Sequence, residues 1–254
     1  MHGVHVDRVQ FPAPRPFKTR KESNTMSIQG IAFDLEGTVI DVEAAHHGAH
    51  LKAMAEMGIE MTLEEAIVKI PHFIGGPHER IRDEVYELSD KTKLKELYSE
   101  RHAFYYEKLL KEMVIVPRMG WSNFFRELKS MGLPLSIGSL TREDRAHYLL
   151  EQARLYDFFS ADRIVLRSDV KHMKPAPDVF LETARRMGID PKNQLVFEDS
   201  PNGVRAAIAA GSRAIGMPVV IRGSAVAALV DAGAARIFFD WREINASALI
   251  TNLA

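Results

Sequence analysis

Cysteine is missing from all 254 residues. That absence excludes disulfides, a thiolate nucleophile and thiolate-ligated zinc. Long apolar runs are missing too. A membrane-spanning helix needs roughly 18 consecutive apolar residues, and the least polar stretch, 225–239, is broken by Asp231, Gly233 and Arg236. Neither sign of charge is in excess. With 33 Lys+Arg against 34 Asp+Glu the formal net charge is -1, which lacks the basic footprint of a general nucleic-acid binder. What is present is ordinary for a globular protein. The chain is 46% hydrophobic and 26% charged, too apolar to be disordered throughout. At about 100–200 residues per domain, the length suits one large domain or a domain carrying an insert. The expectation is a cytoplasmic protein with no membrane and no nucleic-acid partner, its oligomeric state left open.

Residues 1–27 differ from the rest. They hold Pro12, Pro14 and Pro16 and several basic residues, with no apolar periodicity. No apolar segment of a secretory signal follows. They are predicted to be a disordered extension, a basic docking arm being the alternative.

Short apolar runs then recur at 28–33, 133–137, 163–166, 194–197, 212–216 and 236–239. Helical patterns lie between them at 121–131, 142–155, 177–187 and 201–210. Strands alternating with helices predict βαβ units and a parallel sheet, an α/β fold. The stretch 42–116 breaks the alternation. It has helical patterns at 43–57, 63–68, 79–88 and 93–110, with loop signals at Pro71 and at Gly75-Gly76-Pro77. It reads as a helical insert after the first strand. Ligands of parallel sheets bind beyond the carboxyl ends of the strands. Polar residues follow three of these runs directly: Asp34 and Glu36, Ser139, and Glu198 with Asp199.

Asp34 and Glu36, two apart beside Gly37, make an acidic turn that is weak evidence alone. Lys174 precedes a Pro-fixed loop at the start of a helix. Two acidic clusters with a lysine and a serine at one sheet edge suit a divalent cation and a phosphate. Mg2+ takes a few carboxylate oxygens together with substrate and water, and a lysine helps offset phosphoryl charge.

In order, DLEGTVID (34–41), Ser139, Lys174 in KPAPD and Glu198-Asp199 in VFEDSPNGVRAAIAAG resemble the four motifs of the haloacid dehalogenase-like superfamily. The branch is that of β-phosphoglucomutase and phosphoglycolate phosphatase, and the resemblance runs from 28 to about 240. It implies a Rossmannoid parallel-sheet core (28–41 and 117–254) with an inserted α-helical cap (42–116). The implied activity is Mg2+-dependent hydrolysis of a small phosphorylated metabolite. Asp34 would be the nucleophile, Glu36 the acid/base, and Ser139 and Lys174 the phosphoryl contacts. The metal would sit on Asp34, Asp199, Glu198 directly or through water, and the backbone carbonyl of Glu36.

Glu36 departs from the Asp usual in this family. The extra methylene moves the carboxyl group by about 1 Å, and a misplacement of that size can cost about a hundredfold in rate. Alternatives stay open at this point. They are a weakly active or non-catalytic phospho-ligand-binding member, and a phosphomutase, enolase-phosphatase or phosphonatase type of reaction on the same scaffold. In the insert, His46 matches a histidine of the branch that faces the active site. Gly76, His78 and Arg80 lie in a segment resembling its specificity loop, where they would meet substrate. His46, His47 and His50 cluster in sequence, but without further ligands at suitable spacing no zinc site is expected. Arg82 is expected to pair with nearby acids. Tyr98, Phe104, Tyr105 and Leu109 are expected to be cap core.

Overall fold

The computed structural model describes residues 27–74, 78–89 and 95–253. All of the expected N-terminal extension except Ser27, and Gly76 of the cap loop, lie outside the described residues.

The apolar runs form six strands. They are β1 (Gly30–Phe33), β2 (Leu135–Gly138), β3 (Ile164–Val165), β4 (Gln194–Glu198), β5 (Arg213–Gly216) and β6 (Arg236–Ile237). They pair in the order β3-β2-β1-β4-β5-β6, every pair parallel. Before β2 come α1 (Glu43–Glu56), α2 (Leu63–Lys69), α3 (His78–Leu88), α4 (Lys95–Glu112) and α5 (Trp121–Ser130). Later come α6 (Glu143–Gln152), α7 (Asp178–Met187), α8 (Pro201–Ala209), α9 (Gly223–Asp231) and α10 (Ala246–Leu253).

β1, β2 and β4 are buried along their whole length. This is why they read as unbroken apolar runs: helices cover both faces of a parallel sheet. The register sorts the side chains. Phe33 lies beside Ile137 and Phe197 and faces Trp121, Phe124 and Phe125 of α5, together with Trp241. The Phe33 and Phe197 rings stack with centroids 5.5 Å apart. Ala32, Val196 and Ala214 point to the other face, against Val179 and Phe180 of α7 and Val204 of α8.

Helices α1 to α4 all lie between β1 and α5 in the chain. They have a core of their own, built from Met54, Phe73, Ile81, Val85 and Tyr98 among others. The start of α2 is fixed by a capping box, in which Thr62 and Glu65 satisfy each other's backbone N–H groups;. No helix of the described residues is long and apolar enough to cross a membrane.

Two helices escape the periodicity. α9 and α10 are nine and eight residues long, shorter than the window over which helical periodicity is read. One expected core residue is wrong. Phe104 is 55% exposed, whereas Tyr106 is buried. Three consecutive aromatics, 104–106, leave the inward face of α4 undefined by pattern alone.

The chain runs from β1 to β2 and β3 on one side, then crosses to β4 on the other. The strand order therefore reverses between β1 and β4, the topological switch point where open α/β sheets bind ligands.

Candidate active site

Asp34 follows the last residue of β1, and its N–H donates to the Phe197 carbonyl at 3.0 Å. The chain then turns sharply through Gly37, at φ 86°. A Cβ at that position would stand 2.1 Å from Asp199 Oδ2. Glycine therefore serves two needs here, a left-handed backbone and room for a carboxylate. Thr38 Oγ1 donates to Asp199 Oδ1 at 3.2 Å. Arg118 ties this loop to the far side of the sheet. Its guanidinium donates to the carbonyls of Gly37 (2.8 Å), Met217 (2.9 Å), Phe239 (3.2 Å) and Pro218 (3.4 Å).

Across the switch point, Glu198 ends β4 and Asp199 follows it. α8 begins against them with Ser200 as N-cap and Pro201 in its first turn. Glu198 Oε2 accepts from the Ser200 N–H at 2.9 Å and its hydroxyl at 3.0 Å. A Cβ on Gly203 would fall 1.7 Å from Glu198 Oε1, so the carboxylate occupies the space that a side chain would need.

Lys174 Nζ joins the two acidic segments. It donates to Asp34 Oδ1 at 2.5 Å and to Glu198 Oε1 at 2.7 Å, and it reaches the Gly138 carbonyl at 3.3 Å. Burial alone would lower its ammonium pKa, but the two carboxylates overcome that and raise it. Burial pushes Asp34 up to about 7; Lys174 opposes this, and Glu198 and Glu36 add to it. Burial, then Glu198 and Asp34, also raise Asp199 well above the carboxylate range.

Glu36 lines the same cavity but takes its hydrogen bonds from other residues. Tyr106 of α4 donates to its Oε2 at 2.5 Å, and Thr141 donates to its Oε1. Ser139 Oγ in turn donates to Thr141 Oγ1 at 3.0 Å. One carboxylate thus joins the loop after β1, the loop after β2 and a helix of the insert. His46 of α1 stacks on Tyr106 at 3.9 Å between centroids, and the Arg145 guanidinium lies 4.6 Å from the centre of the same ring. Sequence reasoning named Glu36, Ser139 and His46 but missed Tyr106, Thr141 and Arg118. Threonine two residues past Ser139 was the one signal available.

Asp34, Glu36, Ser139, Thr141, Lys174 and Glu198 share a cavity of about 280 Å³. Ser200 and Asn202 also line a larger one of about 610 Å³, enclosed by Glu43, His46, His47, His50, His72, His78, Arg80, Asp199 and Arg205, among others. Of the expected substrate residues, His46, His78 and Arg80 therefore line the large cavity. Arg82 instead donates to Asp83, its sequence neighbour, at 3.1 Å.

The donor set fits a divalent cation. Asp34, Glu198 and Asp199 gather three carboxylates with one lysine, and burial first, then the neighbouring carboxylates, make Asp34 and Asp199 hold their protons more tightly than usual. Such a site is short of positive charge, and oxygen ligands suit a hard cation. Both oxygens of Glu198 already accept from protein donors, so Asp34 and Asp199 are the better direct ligands.

An acid-rich switch point on a six-stranded parallel sheet, with helices inserted after the first strand, defines an α/β protein whose site is built for a cation and an anionic ligand;. The family model described as haloacid dehalogenase-like hydrolase matches residues 31–217. Among curated proteins, the fructose-1-phosphate phosphatase YqaB of Escherichia coli (strain K12) is 31% identical over 193 residues, covering 73% of this chain and 94% of that protein. A phosphorylated carbohydrates phosphatase of Thermotoga maritima is 29% identical over 187 residues, covering 72% of this chain and 82% of that protein. The crystal structure of a HAD family hydrolase from Deinococcus radiodurans R1, with bound phosphate and sodium, superposes with a TM-score of 0.71. It is 25% identical and covers 90% of this chain and 98% of that one. The chain belongs to the haloacid dehalogenase-like hydrolase family.

Proposed function

We propose that this protein is a Mg2+-dependent phosphatase of small phosphorylated metabolites, of the sugar- or polyol-phosphate class, working through a phosphoaspartate on Asp34. The observation that carries this reading is the ammonium of Lys174, held 2.5 Å from Asp34 and 2.7 Å from Glu198 at the mouth of the switch point. The substrate class rests on the relatives that are phosphatases of fructose 1-phosphate and of phosphorylated carbohydrates.

Asp34 and Asp199, with the backbone carbonyl of Glu36, would hold the Mg2+. When bound, the ion neutralises charge on the transferring phosphoryl group. The rest follows from side chains. A carboxylate oxygen of Asp34 attacks phosphorus, and the bond from phosphorus to the substrate oxygen breaks. Glu36, carrying the proton it takes from water in the second half of the preceding turnover, gives it to the departing oxygen. In the second half Glu36 takes a proton from water as the water attacks phosphorus. The bond to Asp34 then breaks and phosphate leaves. Lys174 and the Ser139 hydroxyl contact the phosphoryl oxygens. Tyr106 and Thr141 position Glu36, offsetting the freedom that its extra methylene brings. The sugar or polyol part extends into the histidine-lined cavity, where His46 is neutral because burial lowers its pKa. Neutral imidazoles can both donate and accept, which suits hydroxyl groups.

The test is phosphate release from a panel of sugar and polyol phosphates, with Mg2+ and with chelator. Mg2+-dependent release on a sugar or polyol phosphate is expected. No release from any panel member would overturn the reading in favour of a phospho-ligand-binding protein.

A further inference from the structure

The sequence argued against zinc because three histidines close together on one helix offered no further ligand. The fold supplies the missing ones. His50 of α1, His78 at the start of α3 and His102 of α4 converge inside the insert. One ring nitrogen of each lies within 4.8 Å of the other two. His50 and His102 are 2% and 7% exposed. Their ring centroids are 4.0 Å apart, and those of His78 and His102 are 4.5 Å apart.

Two of the rings are held from outside the cluster. His50 Nδ1 pairs with the Tyr98 hydroxyl at 2.6 Å, and His78 Nε2 with the Ser99 hydroxyl at 3.0 Å. That is the pattern of a metal-ligating histidine, whose second nitrogen is fixed by an outer partner. Two nitrogens of the three rings have none. His78 Nδ1 and His102 Nε2 are buried without a hydrogen-bond partner among the described residues. Leaving two such atoms unsatisfied costs their desolvation without a compensating bond, and natural sites rarely tolerate that without a reason. Nitrogen-only donors suit a transition metal rather than Mg2+.

We propose that His50, His78 and His102 form a transition-metal site of the zinc class, separate from the carboxylate site. Three imidazoles are its protein ligands, and its fourth position opens toward the large cavity, which His50 and His78 also line. Tetrahedral coordination with metal–nitrogen bonds of about 2.0–2.1 Å brings the nitrogens to about 3.4 Å from each other, a closure reached by small ring rotations. Three protein ligands with water at the fourth position is the arrangement of sites that present the metal to a ligand. An anionic or alkoxide oxygen of a molecule in the cavity is the group it would meet. The proposal does not depend on phosphatase activity.

The experiment uses the full-length, tag-free chain with Mg2+ in excess to fill the carboxylate site. Zn2+ binding is measured by equilibrium dialysis with elemental analysis, and Co2+ binding by its visible absorption. The expected result is one tight Zn2+ per chain and an intense four-coordinate Co2+ spectrum. His78→Gln and His102→Gln should each weaken binding by about a hundredfold or more, and Tyr98→Phe, an outer partner, by about tenfold or more. His147→Gln, on the exposed face of α6, should leave binding unchanged. His102 is buried; should its variant lose structure in circular dichroism, half-buried His78→Gln decides the matter. No Zn2+ bound by the wild type overturns the proposal. So does Zn2+ that is lost in Asp199→Asn but kept in a folded His78→Gln.

Discussion

Replacing Glu36 by Asp tests whether this unusual residue is matched to its surroundings. The resemblance to the family puts Asp at this position, which favours restoring it. The geometry argues otherwise. The carboxylate reaches Tyr106 at 2.5 Å and is also bonded by Thr141. Removing a methylene withdraws both oxygens by about 1 Å, a displacement that can cost about a hundredfold in rate. Hydrogen bonds to a charged group contribute about 1.5–3 kcal/mol each, and about 1.4 kcal/mol is a factor of ten. Losing one contact therefore predicts a fall in kcat of at least about tenfold, and losing both of at least about a hundredfold. The Tyr106 hydroxyl is buried, so the Asp variant should also lose about 1–3 kcal/mol of stability from a stranded donor. Tyr106→Phe removes one donor, and its effect should be the smaller of the two. The double variant should cost less than the sum of the single ones, because both act on one network. The assay is steady-state phosphate release on the best panel substrate, with urea unfolding alongside. Glu36→Asp turning over as fast as wild type, with unchanged stability, would refute the reasoning.

Three further outcomes follow from the geometry. Gly203→Ala pushes a methyl group into the space of the Glu198 carboxylate, 1.7 Å from its oxygen. A loss of about 1–3 kcal/mol in urea unfolding is expected, together with reduced turnover as Lys174 loses its partner. Arg118→Lys keeps the charge but not the fork that bonds four carbonyls;. It should lower the melting temperature measurably, and an unchanged melt would count against the clamp. Hydrogen bonds from Arg185, then Arg186, lower Glu182 from 4.5 to about 2. Its contribution to stability is complete above about 4.5 and is lost as pH falls through about 2. A carboxyl NMR titration of Glu182 with a midpoint near 4.5 would contradict the clamp seen at 2.7 Å to both arginines.

The strands of the sheet were legible because a parallel sheet covered on both faces writes itself as apolar runs. Those runs end at the chemistry: Phe33 before Asp34, Phe197 before Glu198, Gly138 before Ser139. The acidic cluster and Lys174 could thus be read in order along the chain. What could not be read was the partnership across elements. Tyr106 and Thr141 bond Glu36 from 70 and 105 residues away, and no local pattern encodes such a distance. The same holds for His102, which sits on α4 among aromatics that compete for the inward face. His50 and His78 were visible as histidines, but their convergence depends on how α1, α3 and α4 pack.

The central claim is that Asp34 carries the phosphoryl group, and trapping tests it most directly. The enzyme would be mixed with its best substrate, quenched in acid, reduced with borohydride and mapped by mass spectrometry. The account predicts reduction at Asp34 alone, in a substrate-dependent manner, and no turnover in Asp34→Asn. A trapped group on another residue, or undiminished turnover in Asp34→Asn, would contradict it.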